Sequence, residues 1–383
     1  MKNTIHWLGA GLSSAPGIKA LANKTTPLIV WNRSLEKAKK TLLNSEIDIR
    51  QLDWNVLSDT VKAGDVIVSM LPATKHVEIA ELCLKHKAHF VSSSYIAPEM
   101  QALDSQAKSA GVCFVNEVGL DPGIDHLLAH LLVDKYRKSA VYAAKNQHFF
   151  RSYCGGFPKV ANDFKYKFSW SPLGVLKALR SKAQWQEYGQ VKTSNAPWEA
   201  LSRYEAQLNN GNEVFQAYPN RDSLPFLKQY HFGEDWDVQQ FVRGTLRLDG
   251  WSTAWQPLFD EIAQLSGDKG EQRLQDLSEE LETKYGYAEG EADRVVMCVE
   301  LEIRSADDVI WHQSYHLDSK GDERGQAMAR LVSLPVCLAI ESVLNNEISQ
   351  GVTAAPDQAE QINLWLKSLG DAGEKITFKN HLV

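Results

Sequence analysis

The stretch "NEVGLDPGIDH" at residues 116–126 places two aspartates, Asp121 and Asp125, around a Pro-Gly turn. It follows the apolar run "GVCFV", which predicts a buried strand, and precedes "LLAHLLVD", which predicts a helix. A carboxylate at the end of a strand can face a cleft and move protons on a bound molecule. We therefore expect Asp121 to be an acid–base group or a substrate contact, the alternative being a turn aspartate. Asp125 is expected to cap the following helix.

A second candidate site lies near the N-terminus, where Gly9 and Gly11 follow the predicted strand "TIHWL" and open a helix. Glycines at such a turn let backbone N–H groups approach a pyrophosphate at the helix N-terminus. Ser14 stands where the pattern GxGxxG has its third glycine, and it is small enough to keep strand and helix close. The pattern predicts a dinucleotide site, the alternative being a tight turn without a ligand.

The end of the second predicted strand distinguishes NADP from NAD. NAD sites usually carry Asp or Glu there to hold the ribose hydroxyls. This chain has Asn32, Arg33 and Ser34 instead, so no carboxylate repels a 2′-phosphate and Arg33 can pair with it. We expect NADP, with NAD as the alternative; otherwise Arg33 is an exposed charge at a helix start. Asp53 either contacts the adenine or caps the helix after it.

Composition narrows the class of protein. The 383 residues carry a net charge of −7 and no long basic run, which argues against nucleic acid and anionic membrane as partners. The five scattered cysteines argue for a reducing compartment. The N-terminus lacks a signal-peptide pattern, and the apolar run Leu331–Ile340 is shorter than the roughly 20 residues that span a bilayer. We expect a cytoplasmic protein.

No metal is expected. His126 and His130 share helical i, i+4 spacing, but the glutamate of the HExxH pattern is missing, because Leu127 follows His126.

The order of predicted elements sets the fold class. Up to about residue 120, short apolar runs alternate with amphipathic stretches, which predicts a doubly wound Rossmann-like parallel sheet with ligands beyond the carboxyl ends of its strands. Residues 139–250 hold candidate strands, "SAVYAAKNQHFF" and "KFSW" among them, which predict a mixed sheet. Residues 251–286 have a helical pattern. The runs "RVVMCVELEIRS" and "DVIWHQSYHLDS" predict a hairpin, and the segment around Pro335 predicts a long helix.

Seven segments resemble saccharopine reductase, the L-glutamate-forming saccharopine dehydrogenase family, in the family's order and over most of the chain. They are "SSSYIAPEM" (92–100), "NEVGLDPGIDH" (116–126), "SYCGGFP" (152–158), "YKFSWSPLGVLKALR" (166–180), "AYPNRDS" (217–223), "VRGTLR" (242–247) and "AMARLVSLP" (327–335).

The resemblance implies three parts. A dinucleotide-binding domain is expected over 1–125, completed by 322–383. A mixed α/β substrate and dimerisation domain is expected over 126–250 and 287–321, with a small helical insertion at 251–286. The implied reaction belongs to lysine metabolism: L-glutamate and 2-aminoadipate 6-semialdehyde form an imine, which NADPH reduces to saccharopine. The implied assembly is a homodimer, and the expected partner is a small amino-acid substrate.

The resemblance also implies site residues. Tyr95 is placed in the site, where its hydroxyl can donate to a carboxylate or relay a proton, and the alternative is an interface aromatic. Cys154 is given an assisting role as a weak acid, since a free thiol has a pKa of about 8.5. Together with Asp121 these are the expected catalytic residues.

Saccharopine has three carboxylates, and arginine matches a carboxylate with two parallel hydrogen bonds. Arg221 and Arg243 are the candidates, although Arg243 and Arg247 have the alternative of pairing with nearby acids. The expected substrate contacts are Ser94, Tyr95, Asp121, Arg221, Arg243, Gly244 and Thr245. The expected cofactor contacts are Gly9, Gly11, Leu12, Ser13, Asn32, Arg33, Ser34, Asp53, Leu71, Pro72, Val118, Leu120 and Trp170.

Two other functions stay open at this point. A related enzyme that reductively joins another amine and aldehyde, such as carboxynorspermidine dehydrogenase, shares the architecture. A cofactor-binding regulator that has lost catalysis is the other, and the presence of Tyr95, Asp121 and Cys154 argues against it.

Overall fold

The computed structural model describes residues 3–42 and 46–382. Its strands are, in chain order, β1 (Ile5–Leu8), β2 (Leu28–Asn32), β3 (Asp48–Gln51), β4 (Val66–Ser69), β5 (His89–Ser92), β6 (Cys113–Val115), β7 (Gln147–Pro158), β8 (Ala183–Glu187), β9 (Gln190–Ser194), β10 (Ser202–Leu208), β11 (Gly211–Pro219), β12 (Asp237–Leu248), β13 (Asp293–Ser305), β14 (Asp308–Lys320), β15 (Gly351–Thr353) and β16 (Ile376–Asn380).

The α-helices are α1 (Ala15–Ala22), α2 (Leu35–Thr41), α3 (Trp54–Thr60), α4 (His76–His86), α5 (Pro98–Gln101), α6 (Asp104–Ala110), α7 (Ile124–Arg137), α8 (Pro172–Leu179), α9 (Pro225–Gln229), α10 (Trp251–Gln264), α11 (Gly267–Tyr285), α12 (Ala327–Leu344) and α13 (Ala359–Asp371). Two compact units divide them: Met1–Leu127 with Ala329–Asp357, and Leu128–Met328 with Gln358–Val383.

The first unit is built on a parallel sheet of order β15-β6-β5-β4-β1-β2-β3. All its strand pairs are parallel, from β2–β3 at one end to β15–β6 at the other. Setting β15 aside, this is the order of a doubly wound dinucleotide-binding sheet, with its reversal between β1 and β4. The predicted fold class is confirmed.

Apolar strands and well-capped helices explain this unit. Strands β1 and β4 are buried along their whole length, as expected of strands covered by helices on both faces. Their neighbours contribute Trp31, Phe90 and Phe114 to one continuous core. Helix α3 begins at Asp53, whose carboxylate accepts two backbone N–H bonds and so satisfies amides that a helix start leaves unpaired.

The second unit is built on a mixed sheet of order β10-β11-β12-β7-β13-β14-β16. Strand β7 lies at its centre, parallel to β12 and antiparallel to β13. The predicted hairpin is confirmed as β13 and β14.

Two expected strands were wrong. The first was expected to begin at residue 139, but 139–146 form turns and the strand starts at Gln147. The run "KFSW" has only an isolated bridge from Phe168 to Gly286, since the Phe168 ring packs in a helical core with Trp255. That core is formed largely by α10 and α11, so the segment 251–286 is helical as expected.

The C-terminal region is shared between the two units. Residues 329–357 belong to the first unit, where β15 extends the parallel sheet beside β6. Residues 358–382 belong to the second unit, because β16 pairs with β14 and the Ser319 hydroxyl donates to Glu374 at 2.6 Å. This grouping differs from the expected assignment of 322–383 to one domain. The functional domain boundaries stay a prediction.

Helix α12 is longer than the apolar run seen in the sequence. Among the described residues it is the one helix long and apolar enough to cross a membrane by length and composition. Of its window, 67% is buried inside the protein, a property that core helices share.

Candidate active site

The carboxyl ends of the parallel strands gather the predicted reactive segments of the first unit. Gly9 follows β1, Asn32 ends β2, Ser69 ends β4, and the segment 116–121 follows β6. Because every strand pair in this sheet is parallel, these ends lie along one edge. The glycine turn and the bend that carries Asp121 therefore open on the same side of the sheet.

The glycine turn is tightly fitted. Gly9 has a φ of +97°, and a Cβ at this position would lie 3.0 Å from the Met70 carbonyl oxygen, so glycine is required. The Asn32 side chain accepts from the Ala10 N–H at 3.1 Å and donates to the Ser34 carbonyl at 2.8 Å. Gly11 is exposed, and a Cβ there would meet nothing within 4 Å.

The start of α1 makes two close approaches. Ser14 is buried, and its hydroxyl donates to the Gly9 carbonyl at the end of β1 at 2.8 Å. The second approach, between α1 and α12, occurs at Gly17, where a Cβ would lie 2.7 Å from the Cβ of Ser333. The Gly17 N–H donates to the Ser333 hydroxyl at 2.9 Å. Both the glycine turn and the C-terminal segment thus shape this helix start.

The ribose end of the candidate site fits a 2′-phosphate. Arg33 is exposed and pairs with no acid among the residues that the structure describes, and β2 ends without a carboxylate. Ser34 begins α2, with its hydroxyl accepting from Lys37 N–H at 3.3 Å. Asp53 caps α3 through one oxygen, at 2.9 and 3.1 Å from Asn55 and Val56 N–H. These residues fit NADP better than NAD, because β2 ends in Asn32 without the carboxylate that would repel the additional phosphate.

The remaining expected cofactor residues of the first unit differ in exposure. Leu12 is 56% exposed and Pro72 is exposed, Ser13 and Leu71 are half-buried, and Val118 and Leu120 are buried. Trp170 lies in the second unit, just before α8, and is 37% exposed. The structure therefore brings all of them except Trp170 into one unit.

Tyr95 and Asp121 come into direct contact. The Tyr95 hydroxyl donates to Asp121 Oδ1 at 3.0 Å, although 25 residues separate them in the chain and they follow different strands. Both side chains are half-buried. A phenol and a carboxylate joined in this way can pass a proton between each other and a bound molecule. The Asp121–Pro122 peptide bond is cis.

His76 is a residue of this edge that sequence reasoning missed. It is buried at the start of α4, with its ring nitrogens 2.9 Å from the Ser69 hydroxyl and 2.8 Å from the Ser94 hydroxyl. Burial lowers the pKa of His76 to about 4. The imidazole is neutral at neutral pH, so it can donate to one serine and accept from the other. No spacing in the sequence indicates this link.

Three expected site residues of the second unit, Cys154, Arg243 and Thr245, lie on one face of the mixed sheet. Cys154 of β7 stands opposite Thr245 of β12, and Ser152 stands opposite Arg243. Because side chains alternate along a strand, Cys154, Arg243 and Thr245 point to the same face. Cys154 is 8% exposed. Gly244 lies between the two β12 side chains, and a Cβ there would be 2.5 Å from the Tyr218 carbonyl.

The segment that carries Arg221 is tied to Arg243. The Asn220 N–H donates to the Arg243 carbonyl at 2.9 Å, and the Arg243 N–H donates to the Ser223 hydroxyl at 3.0 Å. Arg221 is exposed and has a φ of +56°. The Arg243 guanidinium packs 3.9 Å from the centre of the Phe226 ring. The backbone of the Arg221 segment is therefore tied to that of Arg243, with the Arg221 side chain exposed and Arg243 buried.

Arg247, on the same face, is surrounded by aromatic rings, whereas the sequence offered a nearby acid as its alternative partner. Its guanidinium lies 4.9, 5.5 and 5.3 Å from the ring centres of Tyr166, Tyr218 and Trp251. The ring faces stabilise the cation, and no acid among the described residues forms an ion pair with it.

One cluster of the described residues has the composition of a metal site. Glu300, His312 and His381 offer ligand atoms within 4.8 Å of one another in the second unit. The same Glu300 also pairs with Arg151, and charge attraction from that guanidinium offsets burial and holds the pKa of Glu300 at about 2. The guanidinium would repel a cation, and His381 already has the Ser314 hydroxyl 2.7 Å away. We derive no metal role from this cluster.

A glycine turn and a hydrogen-bonded tyrosine and aspartate on one edge of a doubly wound sheet are typical of a dinucleotide-dependent oxidoreductase. Residues 5–115 match the model of the saccharopine dehydrogenase NADP binding domain, and residues 119–373 match that of the saccharopine dehydrogenase C-terminal domain. The chain belongs to the saccharopine dehydrogenase family. The match of residues 5–115 confirms the expected NADP-binding domain.

Named relatives agree. Saccharopine dehydrogenase [NADP(+), L-glutamate-forming] of Pyricularia oryzae is 30% identical over 92% of this chain and 93% of its own length. The Saccharomyces cerevisiae protein of the same name is 33% identical over 71% of this chain and 60% of its own length. The solved apo structure of saccharopine dehydrogenase (L-Glu forming) from Saccharomyces cerevisiae superposes with a TM-score of 0.79, at 27% identity and 99% coverage of both chains.

Proposed function

We propose that this protein is an NADP-dependent oxidoreductase that interconverts saccharopine with L-glutamate and 2-aminoadipate 6-semialdehyde. The observation that carries the proposal is the Tyr95–Asp121 hydrogen bond on the same sheet edge as the glycine turn. The family match and the relatives named for this activity support it.

The cofactor is held by the chain's own backbone and side chains. Gly9 and Gly11 leave room for the pyrophosphate, and Arg33 with Ser34 receives the 2′-phosphate. The chemistry that bound NADP supplies is acceptance and return of a hydride. Asp53 is occupied as a helix cap, so a contact to the adenine would use its second oxygen.

The reaction needs proton transfers that Tyr95 and Asp121 can perform. In the oxidative direction the secondary amine loses a hydride and a proton to give an imine. Water then adds to the imine carbon, and the carbinolamine breaks down to an amine and an aldehyde. Asp121 accepts the proton from nitrogen and returns one to the leaving amine, with the Tyr95 hydroxyl completing the path.

The second unit recognises the substrate. Arg221 and Arg243 bind carboxylates of saccharopine, and Thr245 donates a neutral hydrogen bond. Gly244, between Arg243 and Thr245, lets the strand pack closely against Tyr218 and Tyr153. Cys154, opposite Thr245, assists as a weak donor. Ser94, held by His76, contacts substrate beside Tyr95 in the first unit.

We further infer a cytoplasmic homodimer, with a dinucleotide domain and a substrate and dimerisation domain. The five cysteines form no disulfide in the described chain, which supports a reducing compartment.

The test is an initial-rate assay with saccharopine and NADP, following absorbance of the reduced cofactor, with NAD as comparator. We expect turnover that depends on saccharopine and favours NADP. The Tyr95→Phe, Asp121→Asn double variant, purified identically, controls for contaminating activity and should be nearly inactive. Wild-type protein that binds NADP but reduces none of it with saccharopine would refute the proposal.

A further inference from the structure

We infer that Glu117, His126 and Asp125 form a buried positioning unit that holds Tyr95 and Asp121 in their reactive geometry. The inference rests on the proposed function and deepens it. These three residues lie within the segment that also carries Asp121, yet neither proton transfer nor cofactor binding uses them.

The first anchor acts on Tyr95. Glu117 Oε1 accepts from the Ile96 N–H at 3.0 Å, and the Glu117 N–H donates to the Ser94 carbonyl at 3.0 Å. The residues on both sides of Tyr95 are thus attached to one glutamate. Glu117 is 3% exposed and has a φ of +56°, a conformation that is unfavourable for a residue with a side chain.

The second anchor acts on the bend that carries Asp121. Asp125 Oδ1 accepts from the Gly123 N–H at 2.7 Å. The bend is closed so tightly that a Cβ on Gly123 would lie 2.1 Å from the Gly119 carbonyl oxygen, and Gly119 N–H donates to the Pro122 carbonyl at 2.9 Å. A shift of the Asp125 carboxylate would therefore move the backbone of the bend that carries Asp121.

His126 joins the two anchors. Its Nε2 is 3.1 Å from Glu117 Oε2 and its Nδ1 is 3.5 Å from Asp125 Oδ2, and all three side chains are at least 96% buried. Both distances place the imidazole within polar contact of the two carboxylates. One imidazole thus couples the support of Tyr95 to the support of Asp121.

This unit would act by fixing the orientation of Tyr95 and Asp121. A reactive pair loses rate when its members shift by a fraction of an ångström, and a buried polar network is stiff because its groups have no water to replace lost partners. Asp125, expected as a helix cap, instead lies within the first turn of α7 and supports the bend before it.

The chain offers a matched control at the amino end of the same sheet. Asp65 is 4% exposed, accepts from Thr4 N–H at 2.7 Å and Lys62 N–H at 2.8 Å, and lies 3.2 Å from His6 Nε2. This is also a buried carboxylate–histidine pair that holds backbone amides, but it precedes β4, whereas the reactive residues follow strand ends. Asp65→Asn should lower stability without changing turnover.

The experiment compares Glu117→Ala, Glu117→Gln and Asp65→Asn in the full-length protein. Glu117→Ala should lower kcat by about 10- to 100-fold, the scale of a misplaced catalytic group, while the Kd for NADP changes less than about twofold. Glu117→Gln should recover part of kcat, because its amide oxygen can still accept from Ile96. In the Tyr95→Phe background Glu117→Ala should have little further effect, since the two changes remove the same interaction.

Two results would overturn the inference. One is a fall in kcat on Glu117→Ala that is the same in the wild-type and Tyr95→Phe backgrounds, or that Asp65→Asn causes to the same extent. Either outcome would show a general loss of stability. The other needs no turnover: a crystal structure of Glu117→Ala in which the Tyr95 hydroxyl stays 3.0 Å from Asp121 Oδ1. If Glu117→Ala does not fold, Asp125→Asn takes its place in every comparison. Wild type that is inactive on saccharopine would refute the proposed function and leave the structural test intact.

Discussion

The two units place their proposed site residues in different parts of their sheets. In the parallel sheet of the first unit, the proposed acid–base residues stand in the loops that follow the strands, with Tyr95 after β5 and Asp121 after β6. In the mixed sheet of the second unit, Cys154, Arg243 and Thr245 stand within the strands, on one face. The parallel sheet thus brings segments that are distant in sequence to a common edge. In the mixed sheet, side chains share a face because they alternate along each strand.

The difference suggests a division of labour. Loops at a strand end can carry a proton-transfer pair whose geometry depends on local anchors, so the first unit should control kcat. Cations fixed within or beside paired strands hold their positions against a charged ligand, so the second unit should control substrate affinity. Substitutions in the first unit should therefore change mainly kcat, and substitutions in the second unit mainly KM.

The largest effect is expected for Asp121→Asn. Removal of the carboxylate should lower kcat by about 10²- to 10⁴-fold, the usual contribution of a positioned acid–base group. The Kd for NADP, measured by fluorescence or calorimetry, should stay nearly unchanged. A similar loss of cofactor binding would mean that Asp121 supports the fold of the edge and does not take part in proton transfer.

Arg221→Ala should act on affinity. The loss of one charge-assisted hydrogen-bonded contact, about 1.5–3 kcal/mol, should raise the KM for saccharopine by about 10- to 100-fold. Cofactor affinity should be intact and kcat should change little. Lys228→Ala, which removes a cation from the neighbouring helix α9, is the matched control. Equal changes in KM for both variants would indicate a general field and not a specific clamp.

Arg33→Gln should change the choice of cofactor. With no acid beside it in the described chain, Arg33 is available to the 2′-phosphate, and its loss should lower the ratio of NADP to NAD efficiency by about tenfold. The kcat with saturating NADP should be unaffected. An unchanged ratio would remove the 2′-phosphate role from Arg33.

His76→Gln is expected to have the smallest effect on turnover but a visible effect on stability against pH. The pKa of His76 is about 4 in the folded protein and about 6.5 when unfolded, so the unfolded chain binds more protons between these values. His76 therefore stabilises the folded state fully only above about pH 6.5, and that contribution is lost as the pH falls toward 4.

The variant should show a shallower fall, by at most about 1.4 kcal/mol per pH unit, in urea unfolding from pH 6.5 to 4. His86→Gln, at the less buried end of α4, should change the slope less. Identical slopes for wild type and His76→Gln would contradict the account of this edge.

The sequence predicted the parts of the fold that local patterns encode. The alternation of strands and helices, the glycine turn at Gly9 and the bend at Asp121 were all visible, because each depends on a few consecutive residues. The predicted parallel sheet placed Tyr95 and Asp121 on a common edge, but it did not predict the hydrogen bond between them. The family resemblance, and not spacing, indicated Cys154 and Thr245, which the structure places opposite each other.

Other features depend on contacts between distant segments. Gly17 and Ser333 are 316 residues apart, and two helices and a strand lie between β14 and β16 in the chain, so no local pattern reveals either contact. His76 and Glu117 were missed because a polar residue at a helix start or after a strand has the same local pattern whether it positions a site or not. For Arg247 the sequence offered pairing with a nearby acid only as an alternative. Its aromatic surroundings were not predicted, because the three rings come from different parts of the chain.

Identification of the products of saccharopine oxidation tests the central claim most directly. Oxidation with NADP should yield one equivalent of L-glutamate and one of 2-aminoadipate 6-semialdehyde for each NADPH formed, because hydride leaves the carbon on the aminoadipate side of the nitrogen. Release of lysine and 2-oxoglutarate would show that the opposite carbon–nitrogen bond is oxidised and would contradict the assignment.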